Sequence, residues 1–355
     1  MNEYYNGYDR VVFETPDERQ EKIKKQKKLF SRVFLALVIY ILVSRIFATG
    51  VYALMYYVLG DEAYQSFANN TVWAVSISCA AQYLVAFPVF ILALIGTPKA
   101  TGREKSKLSG TDFFLLFAIG EALMYVGNLV GNYINQIIGT MLGRLPENDI
   151  ASTIADTPVA LIFVYMVVLA PIVEELIFRK LIIDRLSIYG DKSAILFSAV
   201  AFGLMHGNLY QFFYATLLGL LLGYVYAKTR NVKYTIFMHT IVNFMGSIVA
   251  LPVQKALESL YEILAVASKG IEVNIIELFV CCSIIFIYTA IQYGLIIGGG
   301  IALFQFIKRR NITVSDLKEI HLPDDVIRKN GVKNTGAILF LIFSIGSILL
   351  SLILV

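Results

Sequence analysis

Long apolar stretches separated by short polar loops occupy most of the chain. Most of them reach the roughly 20 residues that a helix needs to cross a bilayer. Hydrocarbon offers no partner for backbone N–H and C=O groups, so spanning segments of this length are helices. The pattern predicts an all-α fold, a polytopic transmembrane helical bundle of about 8–9 spans. The stretches lie at about 29–58, 71–96, 111–142, 157–187, 193–206, 210–227, 233–253, 274–306 and 336–355, and the short fifth and sixth ones are also compatible with one re-entrant pair.

The charge of the loops alternates along the chain. The N-terminal tail and every second loop after it are basic, whereas the loops between them are acidic, balanced or nearly uncharged. Because Lys and Arg concentrate on the cytoplasmic side of a membrane, we expect a cytoplasmic N-terminus and, with nine spans, a C-terminus on the other side. The basic residues are Lys22, Lys24, Lys25, Lys27, Lys28, Lys99, Arg103, Lys105, Lys107, Lys180, Arg185, Lys192, Lys228, Arg230, Lys233, Lys308, Arg309 and Arg310, and the acidic ones are Asp61, Glu62, Glu147 and Asp149.

The composition agrees with a membrane protein. Apolar and aromatic residues make up 57% of the chain and charged residues 16%, whereas soluble domains are nearer half apolar and a quarter charged. The net charge of +4 is small and unevenly placed, so it reports topology and gives no indication of nucleic-acid binding. The tail up to about Lys28 is too polar for a cleaved signal peptide.

Ionisable side chains inside the predicted spans are the first sign of function. Two of the three histidines and a charged cluster lie there, although each such group costs roughly 2.5–3.5 kcal/mol on insertion scales. Glu175 and Arg179 are four residues apart and can pair on one helical face. Glu174 is rotated by about 100° from Glu175, so one carboxylate can pair with Arg179 while the other faces a cavity. An ion-pair cluster near the end of the helix is the alternative.

Two later segments carry the remaining candidates, Phe202-x-x-x-His206 and His239-x-x-x-Asn243. A spacing of four places each pair on one helical face. Counted from the basic flanks at about 1.5 Å per residue, the polar groups all lie very roughly 10–20 Å inside the membrane. Hydrogen bonding between helices would explain each one singly. Their shared depth indicates instead that they converge on one site.

The residue types suit hydrolysis by an activated water. A carboxylate and an imidazole can take a proton from water and return it to the leaving amine. A second imidazole and the Asn243 carboxamide can donate hydrogen bonds to the oxyanion, and neither needs to be charged to do so. Zinc held by His206, His239 and a glutamate is the rival arrangement, although there is no HExxH motif. At this point both a metal-free and a zinc site are open.

At these residues the chain resembles the CAAX protease and bacteriocin-processing (CPBP, or Abi) family of intramembrane endopeptidases, which is related to the type II CAAX prenyl protease. The resemblance covers about residues 157–250 and leaves the first three and the last two helices unexplained. The three motifs that carry it stand in family order, as Glu174-Glu175-x-x-x-Arg179, Phe202-x-x-x-His206 and His239-x-x-x-Asn243.

The resemblance implies roles for these residues. Glu174 and His206 would activate water, and His239 and Asn243 would form the oxyanion hole. Glu175, Arg179 and Phe202 would support the site. The resemblance favours a glutamate-activated water with no cofactor, and zinc bound by Glu174, His206 and His239 is the alternative.

The expected function is cleavage of a peptide bond in a membrane-associated peptide or protein. We expect a conical polar cavity open to the cytoplasmic side and a multi-pass protein of a bacterial plasma membrane, with the lipid bilayer and the substrate as partners. A non-catalytic scaffold or bacteriocin-immunity protein is the alternative function, followed by a proton-coupled transporter. The predicted division is a cytoplasmic polar tail, N-terminal helices, a catalytic core and C-terminal helices, at residues 1–28, 29–142, 157–253 and 274–355.

A polar stripe in the third stretch is a further candidate. Glu121, Asn128, Asn132 and Asn135 fall close to one helical face, which should point into the bundle rather than to lipid. The stripe is compatible with a substrate groove and equally with interhelical hydrogen bonds.

Overall fold

The computed structural model describes residues 15–102, 104–146, 153–154, 156–308 and 318–353. Part of the predicted tail and several loop charges used for the topology lie outside the described residues, namely residues 1–14 and Arg103, Glu147, Asp149, Arg309 and Arg310.

Within the described ranges the fold is all helical, with no strand, as predicted. Eight helices there are long and apolar enough to cross a membrane, which confirms a polytopic bundle. The predicted fifth stretch forms a helix of only 15 residues and is not among these eight. The helices are α1 Pro16–Leu59, α2 Asp61–Ala68, α3 Thr71–Ala93, α4 Gly110–Leu142, α5 Val159–Tyr189, α6 Asp191–Met205, α7 Leu209–Thr229, α8 Val232–Ala267, α9 Ile275–Lys308, α10 Asp324–Val332 and α11 Thr335–Ile353.

Helix α1 begins well before its apolar stretch because a capping box starts it. The Thr15 hydroxyl accepts from the Glu18 N–H, and the Glu18 carboxylate accepts from the Thr15 N–H. Pro16 at the first helical position has no N–H to leave unsatisfied. The second half of the predicted polar tail is therefore helical.

Helices α6 and α7 form a tight antiparallel hairpin that carries two of the candidate side chains. Gly207 adopts φ +69° in the turn, and the Asn208 carboxamide oxygen caps α7 by accepting from the Gln211 N–H at 2.9 Å. A Cβ on Gly219 would lie 3.0 Å from the Ala199 Cα atom, so the two backbones approach closely there. This contact between small residues holds α6 and α7 close together and so positions the turn between them.

In two helices a π-helical segment ends two residues before a proline. In α5 the segment is Phe163–Leu169, followed by Pro171, and in α3 it is Ala80–Ala86, followed by Pro88. A proline ring clashes with the carbonyl four residues earlier and supplies no N–H, so a local change from i+4 to i+5 hydrogen bonding accommodates it. The sequence predicted a kink at Pro171, and the structure places a π-helical segment there.

The basic loops meet at one end of the bundle. The Ala100 N–H donates to the Asp184 carbonyl at 2.7 Å, and the Ser106 N–H donates to the Thr229 carbonyl at 3.0 Å. We call this end, which holds Lys180, Arg185, Lys192, Lys228, Arg230 and Lys233, the basic end.

The opposite end is formed by different loops. There the Tyr210 hydroxyl donates to the Pro146 carbonyl at 2.9 Å, and the Arg144 guanidinium donates to the Ile353 carbonyl at 2.8 Å. We call it the far end. Successive long helices thus run alternately between the two ends, in agreement with the charge alternation.

Candidate active site

Glu175 is the centre of a buried group of charges. Its side chain has no exposed surface, and neither has that of Arg179. One carboxylate oxygen, Oε2, lies 3.0 Å from Arg179 Nε, and the other, Oε1, lies 3.0 Å from His239 Nδ1. The predicted pairing of Glu175 with Arg179 is therefore present. The bond to His239 joins two motifs that are 64 residues apart.

This bond decides how His239 can act. A carboxylate only accepts, so Nδ1 of His239 must carry a proton. The ring can then donate from Nε2 only if it is protonated on both nitrogens. With this tautomer a neutral His239 accepts at Nε2, so it donates to an oxyanion only as an imidazolium, and its oxyanion role stays a prediction. The buried Glu175 carboxylate supplies the counter-charge that an imidazolium needs.

Arg179 also packs against an aromatic ring. The centre of its guanidinium lies 4.8 Å from the centroid of the Phe202 ring. The Phe202 ring in turn meets the His206 and His239 rings edge-on, with centroids at 4.9 Å and 5.7 Å. Phe202 thus contacts Arg179, His206 and His239 together, and its ring helps to hold the orientation of both imidazoles.

His206 closes helix α6 and is oriented by its own helix. Its Nδ1 atom lies 2.8 Å from the Phe202 carbonyl oxygen, four residues earlier. A carbonyl accepts only, so Nδ1 carries the proton and Nε2 has the free lone pair in the neutral ring. This tautomer suits a base or a hydrogen-bond acceptor at Nε2.

Asn243 is held by a carbonyl that the proline in α5 leaves free. Its amide donates to the Met166 carbonyl at 2.8 Å. In the π-helical register the Ala170 N–H bonds to the Tyr165 carbonyl, so the partner of Met166 would be the next residue, Pro171, which has no N–H. Asn243 therefore satisfies an orphan carbonyl with one N–H and retains a second N–H for other use.

Glu174 differs from its neighbour in exposure. Its side chain is 27% exposed, against none for Glu175, and it faces a cavity of about 990 Å³. Its Oε2 atom lies 3.8 Å from His239 Nε2, which is too long for a hydrogen bond but close enough for a bridging water or substrate atom. His206, His239 and Asn243 line the same cavity. The predicted convergence of the four groups is thus what the structure shows.

Other helices contribute lining residues that motif analysis missed. They are chiefly Tyr and Gln side chains on α1, α3, α7 and α9. In the sequence, such residues look the same as those that pack between helices or lie at the membrane interface. Of the predicted α4 stripe, Glu121 and Asn128 reach the cavity, whereas Asn132 bonds back to Asn128 and Asn135 to the Gly131 carbonyl. The missed residues include Tyr40, Gln82, Tyr83, Tyr210, Gln211, Tyr214, Tyr288 and Gln292.

The described side chains do not fit a zinc site. No group of three His, Cys, Asp or Glu residues among them lies together as a metal needs. His239 presents Nε2 near Glu174, but His206 is not grouped with them as a third ligand. The metal-free site stays a prediction.

Comparison with known proteins places these motifs in a family. Residues 156–245 match the family described as type II CAAX prenyl endopeptidase Rce1-like. The protein named "Putative membrane peptidase YdiL" of Bacillus subtilis (strain 168) is 28% identical over 197 residues, which cover 54% of this chain and 78% of that protein. No solved structure matches the chain. Both comparisons confirm the resemblance that the three motifs carry: residues 156–245 of this multi-pass membrane protein are similar to the type II CAAX prenyl endopeptidase Rce1-like family.

Proposed function

We propose that the protein is an intramembrane endopeptidase that hydrolyses a peptide bond in a membrane-associated peptide or protein with an activated water. One observation carries the proposal: Glu174, His206, His239 and Asn243 line a single cavity, with the Glu175–Arg179 pair buried next to it. Similarity to a family of membrane endopeptidases supports the proposal.

Glu174 and His206 are the proposed water-activating pair. Glu174 is the partly exposed carboxylate of the adjacent two, and His206 has its free lone pair at Nε2. A water held between them can lose its proton to the carboxylate as its oxygen attacks the carbonyl carbon of the substrate. Because water attacks the carbonyl directly, no covalent acyl-enzyme forms in this scheme.

His239 and Asn243 are the proposed oxyanion donors. The His239 imidazolium donates from Nε2 while Glu175 balances its charge, and Asn243 donates the N–H that Met166 does not use. Each donor of this kind is worth about 10²–10³ in rate. When the tetrahedral intermediate collapses, the C–N bond breaks and the proton taken from water passes to the leaving amine.

Substitution of the water-activating pair tests the proposal. We expect the same uncleaved membrane peptides to accumulate in cells with Glu174→Ala and with His206→Ala. Each substitution should also abolish cleavage of these peptides by purified protein in nanodiscs. Glu277→Ala, which removes an exposed carboxylate at the start of α9, is the matched control and should leave cleavage unchanged.

Three results would contradict the proposal. If the set of membrane peptides and the cellular function of the protein are the same with both substitutions as in the wild type, the protein is not a protease, and a scaffold or immunity role is favoured. Substrate flux in liposomes would instead indicate a transporter. Stoichiometric zinc by elemental analysis, lost together with activity on chelation, would overturn the metal-free mechanism while leaving the peptidase.

A further inference from the structure

We infer that Glu121 on α4 is a specificity residue that binds a cationic group of the substrate inside the cavity, either a Lys or Arg side chain or an amino terminus. That the bound molecule is a substrate rests on the proposed function, whereas the cation site itself does not. Glu121 belongs to none of the three motifs and lies outside the segment at residues 156–245 that matches the family.

Glu121 is a buried carboxylate at the wall of the cavity. The residue is 9% exposed and belongs to the cavity lining. Neither of its carboxylate oxygens is fully enclosed without a partner, so the small exposed surface includes the oxygens themselves. The carboxylate is therefore accessible to a molecule in the cavity.

No described side chain neutralises this carboxylate. Glu121 forms no hydrogen bond or ion pair within the described ranges, and the lining that they supply contains no Lys or Arg. The other buried carboxylates of these ranges are paired, Glu175 with Arg179 and Asp191 with Arg230. Because a buried charge is normally paired, the counter-charge for Glu121 is left to a bound molecule.

The polar neighbours of Glu121 on α4 make their contacts elsewhere. Tyr125 and Asn128 lie on the same helical face, four and seven residues further on. The Tyr125 ring meets the Tyr293 ring of α9 with centroids 6.1 Å apart, and the Asn128 carboxamide oxygen accepts from Asn132 at 2.9 Å. The carboxylate is thus not the acceptor of a hydrogen-bond network that would explain its presence.

The cavity wall beside Glu121 is apolar. Leu218 on α7 and Val242 on α8 line the cavity and belong to one buried cluster with Phe117 and Ile119, which precede Glu121 on α4. Charges interact more strongly in such a water-poor environment than in bulk water. A carboxylate placed here discriminates between a cationic side chain and a neutral or anionic one.

The two carboxylates of the described lining have different settings. Glu174 lies 3.8 Å from His239 Nε2, within the group proposed to activate water and stabilise the oxyanion. Glu121 is on a helix that carries no motif and makes no contact of this kind. We therefore assign chemistry to Glu174 and substrate recognition to Glu121.

Charged thiol reagents test the cation site without any substrate. In a chain with Cys79, Cys281 and Cys282 replaced by Ala, Met124→Cys places a thiol on the cavity lining about one helical turn from Glu121. Purified protein in detergent is treated at low ionic strength with a cationic and with an anionic methanethiosulfonate. The ratio of the two rates reports the local charge, because ionisation of the thiol affects both rates alike.

We expect Glu121→Gln to lower the cationic-to-anionic rate ratio by about tenfold, equivalent to about 1.4 kcal/mol. Glu277→Gln removes an exposed carboxylate outside the cavity lining and is the matched control, which should leave the ratio unchanged. Asn128→Cys provides a second thiol on the lining in case Met124→Cys does not fold. An unchanged ratio with Glu121→Gln would show that Glu121 carries no charge in the cavity and would overturn the cation site.

A double-mutant cycle between protein and peptide tests recognition of the substrate. The probes are the membrane peptides that accumulate with Glu174→Ala, each also made with single Lys or Arg residues replaced by Gln and with an acetylated amino terminus. We expect Glu121→Gln to raise KM about tenfold for the parent peptide, with kcat nearly unchanged. The effect should vanish for the one peptide that lacks the bound cationic group, which identifies its source. Glu121→Asp keeps the charge and should recover part of the loss.

The outcomes separate this inference from the proposed function. A tenfold change in the rate ratio in a protein that cleaves no peptide would keep the cation site and overturn the peptidase. The same KM in the wild type and Glu121→Gln for every cleaved peptide would keep the peptidase and overturn recognition by Glu121. A fall in kcat with KM unchanged would assign Glu121 to the chemical step and would equally contradict the inference.

Discussion

Adjacent carboxylates have opposite environments at this site. Glu175 is fully buried between Arg179 and His239, whereas Glu174, rotated to the next position on the helix, faces the cavity. A buried ion is tolerated only when its partners satisfy it, so Glu175 is suited to hold charges in place. Glu174 keeps the exposure that contact with water requires.

Removal of the cation beside Glu175 should destabilise the protein. Arg179→Met leaves a buried carboxylate short of a partner, and breaking such a pair costs about 3–5 kcal/mol. The double variant Glu175→Gln, Arg179→Met should recover part of that loss because no lone charge remains. Chemical unfolding of purified protein measures both.

A second i,i+4 pair provides the control. Lys25 and Glu21 lie 2.7 Å apart with side chains 63% and 64% exposed, so Lys25→Met should leave unfolding unchanged. Equal effects of the two Met substitutions would show that burial is not what makes the Glu175–Arg179 pair matter.

Asn243→Asp should slow catalysis without weakening substrate binding. The substitution keeps the shape but replaces the donor with an acceptor, facing the Met166 carbonyl and the oxyanion. We expect kcat to fall by about 10²–10³ with KM nearly unchanged, since the lost bond forms in the transition state. Asn274→Asp keeps the acceptor that receives the Ile276 N–H at the start of α9 and should have no effect. A rise in KM alone would contradict the oxyanion role.

At the scale of the helix, prolines create sites by removing hydrogen bonds. The two π-helical segments that end two residues before a proline each place lining residues on the cavity wall, Met166 in α5 and Gln82 with Tyr83 in α3. The backbone group that loses its partner is available to a side chain, and in α5 that side chain is Asn243. Local backbone chemistry thus positions a residue of a distant helix.

Pro171→Ala should reduce activity while leaving the fold stable. The restored N–H can bond the Met166 carbonyl and compete with the Asn243 amide, so we expect a loss of up to about tenfold in kcat, equivalent to about 1.4 kcal/mol. Pro88→Ala makes the same change after the other segment, where no catalytic side chain depends on it, and should be nearly neutral. Equal effects in kinetic assays would argue against the Met166–Asn243 coupling.

Three consecutive glycines in α9 should respond differently to alanine. A Cβ on Gly299 would lie 1.9 Å from the Ala118 carbonyl oxygen of α4, whereas Gly298 and Gly300 have open space. We expect Gly299→Ala to destabilise by about 1–3 kcal/mol through overpacking. Gly298→Ala and Gly300→Ala should stabilise by about 0.5–1 kcal/mol, because alanine favours the helix. Thermal unfolding in detergent gives the order, and a uniform response would exclude the close α4–α9 contact.

The whole molecule has two chemically distinct ends joined by alternating helices. At one end the connections with basic residues bond to the ends of neighbouring helices, and at the other end Tyr210 and Arg144 bond to carbonyls of distant segments. Hydrophobicity alone does not distinguish the two ends, because the spans are mainly apolar from one end to the other. Charged loops and interhelical packing create the difference between the ends.

Reporter fusions should place the two ends on opposite sides. Green fluorescent protein fused after Lys308, at the basic end, should fluoresce, and alkaline phosphatase at that position should be inactive. After Ile353, at the far end, the pattern should reverse, since α11 crosses between the ends. The same pattern at both positions would mean that α11 does not cross.

Much of this arrangement could be predicted from residue spacing alone. The apolar stretches gave the helices, and the i,i+4 spacing gave the Glu175–Arg179 pair, because both depend on contacts within one helix. The bond of Glu175 to His239, the use of Met166 by Asn243 and the lining from α3 and α9 could not be predicted. They depend on how far each helix slides and rotates against its neighbours.

The sequence by itself therefore determined the membrane environment, the order of the spans and the set of reactive groups, since composition and periodicity carry that information. Only the tertiary structure decided which carboxylate faces the cavity, which nitrogen of each histidine is free and which side chains of other helices line the cavity. Those properties come from side-chain packing between helices that are distant in the chain, such as Phe202 on α6 against Arg179 on α5. The spacing of residues along a helix determines on which face a side chain lies, and packing against other helices determines what that face contacts.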